Sequence, residues 1–227
     1  MVISFKVPES IAEEVASYLR KHLLIGDKFP PGSFIREADV AEELGVSRSP
    51  VREALKDLED HGLIRLIPRK GAFVPQYSDQ DVYEIYRVRA ALEMLVYEHV
   101  VACRLLNAEH ERWLRSRVDL LGELALSDDK DVEGVRIRFL ELDSAFHFYI
   151  HTLSGLTWTT ELLKKTYSHI SQIRYRHIAG ITLPYFVEQH LAIVDSLRRG
   201  DLDALRSLSE ESARKGPAVY LGSRELS

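Results

Sequence analysis

Apolar residues recur at helical spacing between Glu9 and Ile25, where Ile11, Val15, Tyr18, Leu19 and Leu23 make one stripe. Gly26-Asp27 and then Pro30-Pro31-Gly32 break the pattern. A short helix is predicted in READVAEELG, with Ala38, Val40, Ala41 and Leu44 inward and Gly45 as its stop. After Val46 alone, a further helix begins. Ser47 or Ser49 can cap it, Pro50 falls in its first turn where a missing N–H costs nothing, and Val51, Leu55 and Leu58 form its buried face. Gly62 ends it, and two β-prone runs then flank Pro68-Arg69-Lys70-Gly71, which predicts a hairpin. Helix, tight turn, helix and hairpin is the order of a winged helix-turn-helix, placed at residues 1–75.

Residues 76–80, Gln-Tyr-Ser-Asp-Gln, read as a linker, and residues 223–227 as a tail. Between them, over 81–222, the pattern is helical. Its segments are Asp79–Arg104, Ala108–Leu126, Val132–Leu153, Thr159–Ile178, Pro184–Arg199 and Leu202–Val219, with breaks at Asn107, Ser127-Asp128-Asp129, Ser154-Gly155, 180–184 and Gly200-Asp201. Six helices joined by short connections predict an all-α bundle, so the fold class is mainly α with one small β wing.

The chain has 227 residues, 45% hydrophobic and 29% charged, which is ordinary globular material long enough for two cores. The start, MVISFKVPESIAEEV, carries acids where a secretion signal needs an apolar core, and no run is long enough to cross a bilayer. A cytoplasmic protein without membrane partners is expected. The single cysteine, Cys103, lies in the helical run VVACRLL and is read as a buried structural residue. Net charge is −5; residues 1–75 carry 11 Lys+Arg against 12 Asp+Glu. Any contact with nucleic acid must therefore come from local placement of cations rather than from bulk charge.

That placement exists. Off its apolar stripe the third helix presents Arg48, Ser49, Arg52 and Lys56, and the hairpin tip carries Arg69 and Lys70 beside Gly71. An N-terminal cluster of arginines and hydroxyls suits docking in the major groove, and a basic hairpin suits phosphates or the minor groove. The stretch ADVAEELGVSRSPVREALKDLEDHGLIRLIPRKGAFV closely resembles the DNA-binding domain of the GntR superfamily of transcriptional regulators. The resemblance implies base and phosphate contacts from Arg48, Ser49 and Arg52, with Arg36 and Glu37 in the first helix of the motif and Lys70-Gly71 at the wing tip; Ser47, Lys56 and Arg69 are expected on the same DNA-binding face. It also implies a homodimer on a palindromic operator in double-stranded DNA.

In the helical half, Phe139, Leu142, Phe146 and Ile150 mark one inward face, and Asp143 and His147 share its edge one turn apart. His190 lies in the stripe of Val187, Leu191, Val194 and Leu197. A carboxylate and an imidazole at i, i+4 can grip one metal ion, with a third ligand from a facing helix; equally, all three can be hydrogen-bonded core residues. Arg89 lies between Ile85, Leu92 and Val96, where it either pairs with Glu93 one turn on or grips the carboxylate of a ligand. Arg174 and Arg176 are weaker candidates, while Arg104, Arg112, Arg115 and Arg117 fall on solvated faces.

The fragments VYEIYRVRAALE, LDSAFHFYIH and EQHLAIVDSLRRGDLDAL resemble the FCD domain, an effector domain attached to GntR-type readers. That resemblance implies an organic-acid effector at Arg89 and a divalent metal such as zinc or nickel on Asp143, His147 and His190. A fourth ligand, usually histidine, is replaced here by Ser212, a poor ligand that leaves either a three-ligand site completed by water or effector or a site that has lost its metal; His151 and His169 are alternative donors. The expected function is a ligand-controlled DNA-binding repressor and not an enzyme. The competing reading, a metal-dependent hydrolase built on Asp143, His147 and His190, leaves residues 36–75 unexplained.

Overall fold

The computed structural model describes residues 10–60, 62–170, 173–174 and 183–224, with side chains to residue 218. The chain divides into two compact units, Met1–Gln76 and Tyr77–Ser227.

In the first unit, α1 (Ile11–Ile25) starts at a capping box. The Ser10 hydroxyl accepts from the Glu13 N–H at 3.1 Å, and the Ser10 N–H donates to the Glu13 carboxylate at 2.6 Å. Val15, Leu19 and Leu23 are buried as their spacing predicts, but Ile11 is exposed, and Ala12 beside it takes the inward position of the first turn. β1 (Phe34–Ile35), α2 (Glu37–Leu44) and α3 (Arg48–Asp60) follow, and α3 packs on both α1 and α2 through Val51, Ala54, Leu55 and Leu58. Ala38, expected inward, is exposed; only Val40 and Ala41 of α2 are fully buried.

β2 (Arg65–Ile67) and β3 (Gly71–Phe73) form the expected hairpin, and β1 adds an unexpected third strand, giving the antiparallel order β1-β3-β2. Phe34 pairs with Phe73 and Ile35 with Ala72. Gly71 is required at this junction. Its φ is +107°, and a Cβ there would stand 2.6 Å from the Ile35 carbonyl oxygen.

The second unit is helical: α4 (Asp79–Ala102), α5 (Ala108–Ala125), α6 (Val132–Leu153), α7 (Thr157–His169), α8 (Leu183–Arg199) and α9 (Leu202–Arg224). Ser78, Asn107 and Asp131 cap α4, α5 and α6 with side-chain acceptors. α4 packs against α9 and α7, and α5 against α6 and α8. The core between them holds Val96, Val100, Leu114, Val118, Phe146, Ile150, Leu163, Val194 and Leu205.

α7 stops at His169 although apolar spacing continues, because Ile170 and Ile173 turn into a separate buried cluster with Val82 and Tyr86. Residues 175–182, including Arg176, lie outside the described residues. Leu142 is half-buried and Leu191 exposed, at the margins of faces expected to be wholly inward. Cys103 is exposed: α4 ends at Ala102, so the chain leaves the buried stripe one residue before Cys103. Arg115 forms ion pairs with Glu111 and Asp195, and Arg117 lies over the Trp113 ring, so these two are partly engaged rather than simply solvated.

Candidate nucleic-acid interface and buried polar cavity

α3 begins at Arg48, so Ser47 immediately precedes it and Ser49 and Pro50 fall in its first turn. Ser47, Arg48, Ser49, Arg52 and Lys56 are all exposed. Arg36, Arg48, Arg52, Arg69 and Lys70 line one open groove together with Phe34, Glu37, Ala38 and Gly71. Ser47, Ser49 and Lys56 are outside that lining. Five cations from the start of α2, the start of α3 and the hairpin tip thus converge on one concave face. Arg48 carries no ion pair among the described residues, whereas Arg52 is forked onto Glu37 and still 63% exposed. Phe34 and Ala38 were not anticipated on this face: Phe34 lies in a strand too short to leave a periodic signal, and the helical spacing of Ala38 marked it as inward.

The second unit contains a cavity of about 80 Å³ whose wall includes Arg89, Glu93, Asp143, His147, Arg174, His190 and Ser212. Arg89, Glu93, Asp143, Arg174 and His190 are buried, and they arrive from α4, α6, the stretch after α7, and α8. Buried charges are tolerated because they are paired. Arg174 forms an ion pair with Asp143 Oδ2, and Arg89 Nε stands 3.9 Å from Glu93 Oε1 while its Nη2 donates to the Ser212 hydroxyl. Arg89 is thus paired with Glu93 and also lines the cavity. Burial lowers Arg89, but Glu93 and the neighbouring tyrosines carry it above its ordinary value; burial, then Arg89, pull Arg174 down to about 9.

Asp143 Oδ1 faces His190 Nε2 at 3.0 Å and His147 Nε2 at 3.9 Å. His190 Nδ1 lies 2.5 Å from the Phe186 carbonyl, which can only accept, so Nδ1 carries the proton and Nε2 is left with a lone pair. Burial holds His190 down to about 4 and lowers His147 as well, so both rings are neutral. A lone pair pointed at a carboxylate oxygen is repulsive unless a cation lies between them. The donor atoms of Asp143, His147 and His190 all fall within 4.8 Å of one another. One carboxylate oxygen and two imidazole nitrogens make a donor set suited to a divalent transition metal. Because Arg174 engages Oδ2, Oδ1 remains available. His169 does not join this group; its Nδ1 meets the Tyr77 hydroxyl at 2.9 Å.

The profile of bacterial regulatory proteins of the gntR family matches residues 11–74, and the FCD domain profile matches residues 84–214. The chain belongs to the GntR family. This GntR-family protein is 33% identical to the Nta operon transcriptional regulator of Aminobacter aminovorans, over 74% of this chain and 75% of that one. It is 27% identical to the transcriptional repressor RspR of Escherichia coli, over 87% of this chain and 83% of the relative. Among solved structures it shares the fold of E. coli McbR/YncC, with a TM-score of 0.68 at 22% identity, covering 95% of this chain and 99% of the other. These relatives are named as regulators rather than enzymes, and the winged helix of this GntR regulator makes it a DNA-binding protein. Among the described residues no helix is long and apolar enough to cross a membrane.

Proposed function

We propose that this chain is a cytoplasmic repressor that binds a palindromic operator as a homodimer and is controlled by a small organic acid. The first unit reads the operator: Arg48, Ser49 and Arg52 reach base edges, and Arg36, Ser47, Lys56, Arg69, Lys70 and the Gly71 backbone position the phosphates. Arg89 and Ser212 hold the acid in the helical unit, beside a divalent ion on Asp143, His147 and His190. When bound, the ion supplies a Lewis-acid anchor for a carboxylate oxygen.

The observation that carries the control half is the contact of His190 Nε2 with Asp143 Oδ1, two acceptors at 3.0 Å in a cavity that also contains two guanidinium groups. The acid acts only if it binds one arrangement of the regulator better than another.

The full chain is first used to select duplexes from a random pool, then titrated on the selected site with two- to six-carbon carboxylic acids, with and without Zn2+. The expected result is an inverted repeat and release of DNA by at least one acid, lost in Arg89→Met. A selected site without symmetry removes the dimer reading, and indifference to every acid with and without metal removes the effector reading.

A further inference from the structure

We propose that Glu93, His147 and His151 form a second divalent-cation site, sharing His147 with the first. It stands whether or not Asp143 and His190 hold an ion. His147 and His151 lie one turn apart on α6, and Glu93 faces them from α4. His151 is wholly buried, and neither of its ring nitrogens has a hydrogen-bond partner among the described residues. A neutral imidazole has one donor and one acceptor, and burying either without a partner is unfavourable. The Nδ1 of His147 is likewise unpartnered.

The distances are too long for hydrogen bonds and suit ligands arranged around one ion. Glu93 Oε1 is 3.8 Å from His147 Nδ1 and 4.0 Å from His151 Nε2, and the three donor atoms lie within 4.8 Å of one another. With metal–ligand bonds of about 2.0–2.2 Å, ligands stand roughly 3–4.5 Å apart. Glu93 is itself held in place: the Tyr167 hydroxyl donates to the same Oε1 at 2.5 Å. His147 therefore turns Nε2 toward Asp143 and Nδ1 toward Glu93, one nitrogen for each site. Filling both displaces the single ring proton of His147 to solvent. A guanidinium stands against each carboxylate, Arg89 3.9 Å from Glu93 Oε1 and Arg174 on Asp143 Oδ2, so the second ion to enter, which must also displace the His147 proton, is the more weakly held.

The test is a titration of the chelator-stripped full chain with Zn2+, read by calorimetry, and with Co2+, read by its visible absorption. Wild type is expected to take two equivalents, the second more weakly, and His151→Gln one. The double variant Asp143→Asn/His190→Ala is expected to keep one equivalent and to lose it when His151→Gln is added. Glu93→Gln, which preserves the acceptor for Tyr167, repeats the loss, and circular dichroism of the stripped variants confirms folding. If Asp143→Asn/His190→Ala binds nothing while wild type binds one ion, the second site is overturned and the first stands. If the double variant matches wild type and only His151→Gln abolishes binding, the second stands and the first falls. An ion that survives His151→Gln and Glu93→Gln in the double-variant background also overturns the proposal.

Discussion

Arg52 of α3 and Glu37 of α2 are joined by a two-pronged ion pair, Nε to Oε2 at 3.0 Å and Nη2 to Oε1 at 2.7 Å. The fork fixes the plane of an exposed guanidinium before any DNA arrives, at the cost of partly neutralising it. Glu37→Ala frees that head. Discrimination between a selected operator and random duplex, at fixed salt, should fall about fivefold, roughly 1 kcal/mol. Affinity for random duplex should rise slightly, since one acid has gone. Anisotropy titrations read both, and unchanged discrimination would mean that the fork is only a surface pair.

Arg48 and Lys70 should separate base reading from phosphate positioning. Arg48→Ala is expected to cost about 1–3 kcal/mol on the selected operator and to relax the preference at one position of each half-site. Lys70→Ala should weaken binding evenly across sequences and reduce the slope of log K against log salt by about 1. The two outcomes exchanged would reverse the assignment of helix and wing.

Gly71→Ala tests the wing itself. A methyl group in that backbone conformation, 2.6 Å from the Ile35 carbonyl oxygen, forces β1 and β3 apart. The loss should be about 1–3 kcal/mol of stability in the first unit, seen as a lower melting temperature in the far-ultraviolet circular dichroism of the full chain, with DNA affinity falling alongside. An unchanged melt would mean that the sheet accommodates the methyl.

Arg89→Met removes the guanidinium from the cavity and leaves Glu93 buried beside no cation of its own helix. The single change is expected to cost about 3–5 kcal/mol, and the pair Arg89→Met/Glu93→Gln to recover most of it, since a buried pair replaced together is tolerated far better than one broken. Chemical denaturation of the metal-free chain measures both. A double variant no more stable than the single would show that Arg89 and Glu93 are not coupled.

Much of this architecture was legible in the sequence because each element carries its own punctuation. Pro50 and the serines around it mark the start of α3, and α6 runs from Val132 to Leu153 as its period and flanking acids require. β1 was not legible, since two residues have no period and the strand exists only because β3 pairs with it. The end of α7 was missed for a different reason: Ile170 and Ile173 stay buried past it, and Ile173-Arg174 are again helical, with the Arg174 N–H donating to the Ile170 carbonyl at 2.7 Å.

Within the cavity, Asp143 with His147 is a local signal, readable as residues one turn apart. Arg174 on Asp143 is a pairing across 31 positions of chain, which no window of sequence contains. Glu93 was readable as the partner of Arg89 but not as the point where Tyr167, His147 and His151 also converge.

The first unit carries more anions than cations, 12 against 11, yet five of its cations line a single groove. Such a module is a dipole more than a polycation. Turned the wrong way it is repelled by a duplex, and turned the right way it is drawn in, so the protein rehearses its docking angle before contact. It should therefore linger little on arbitrary DNA and spend its search largely unbound, unlike a reader whose whole surface is positive.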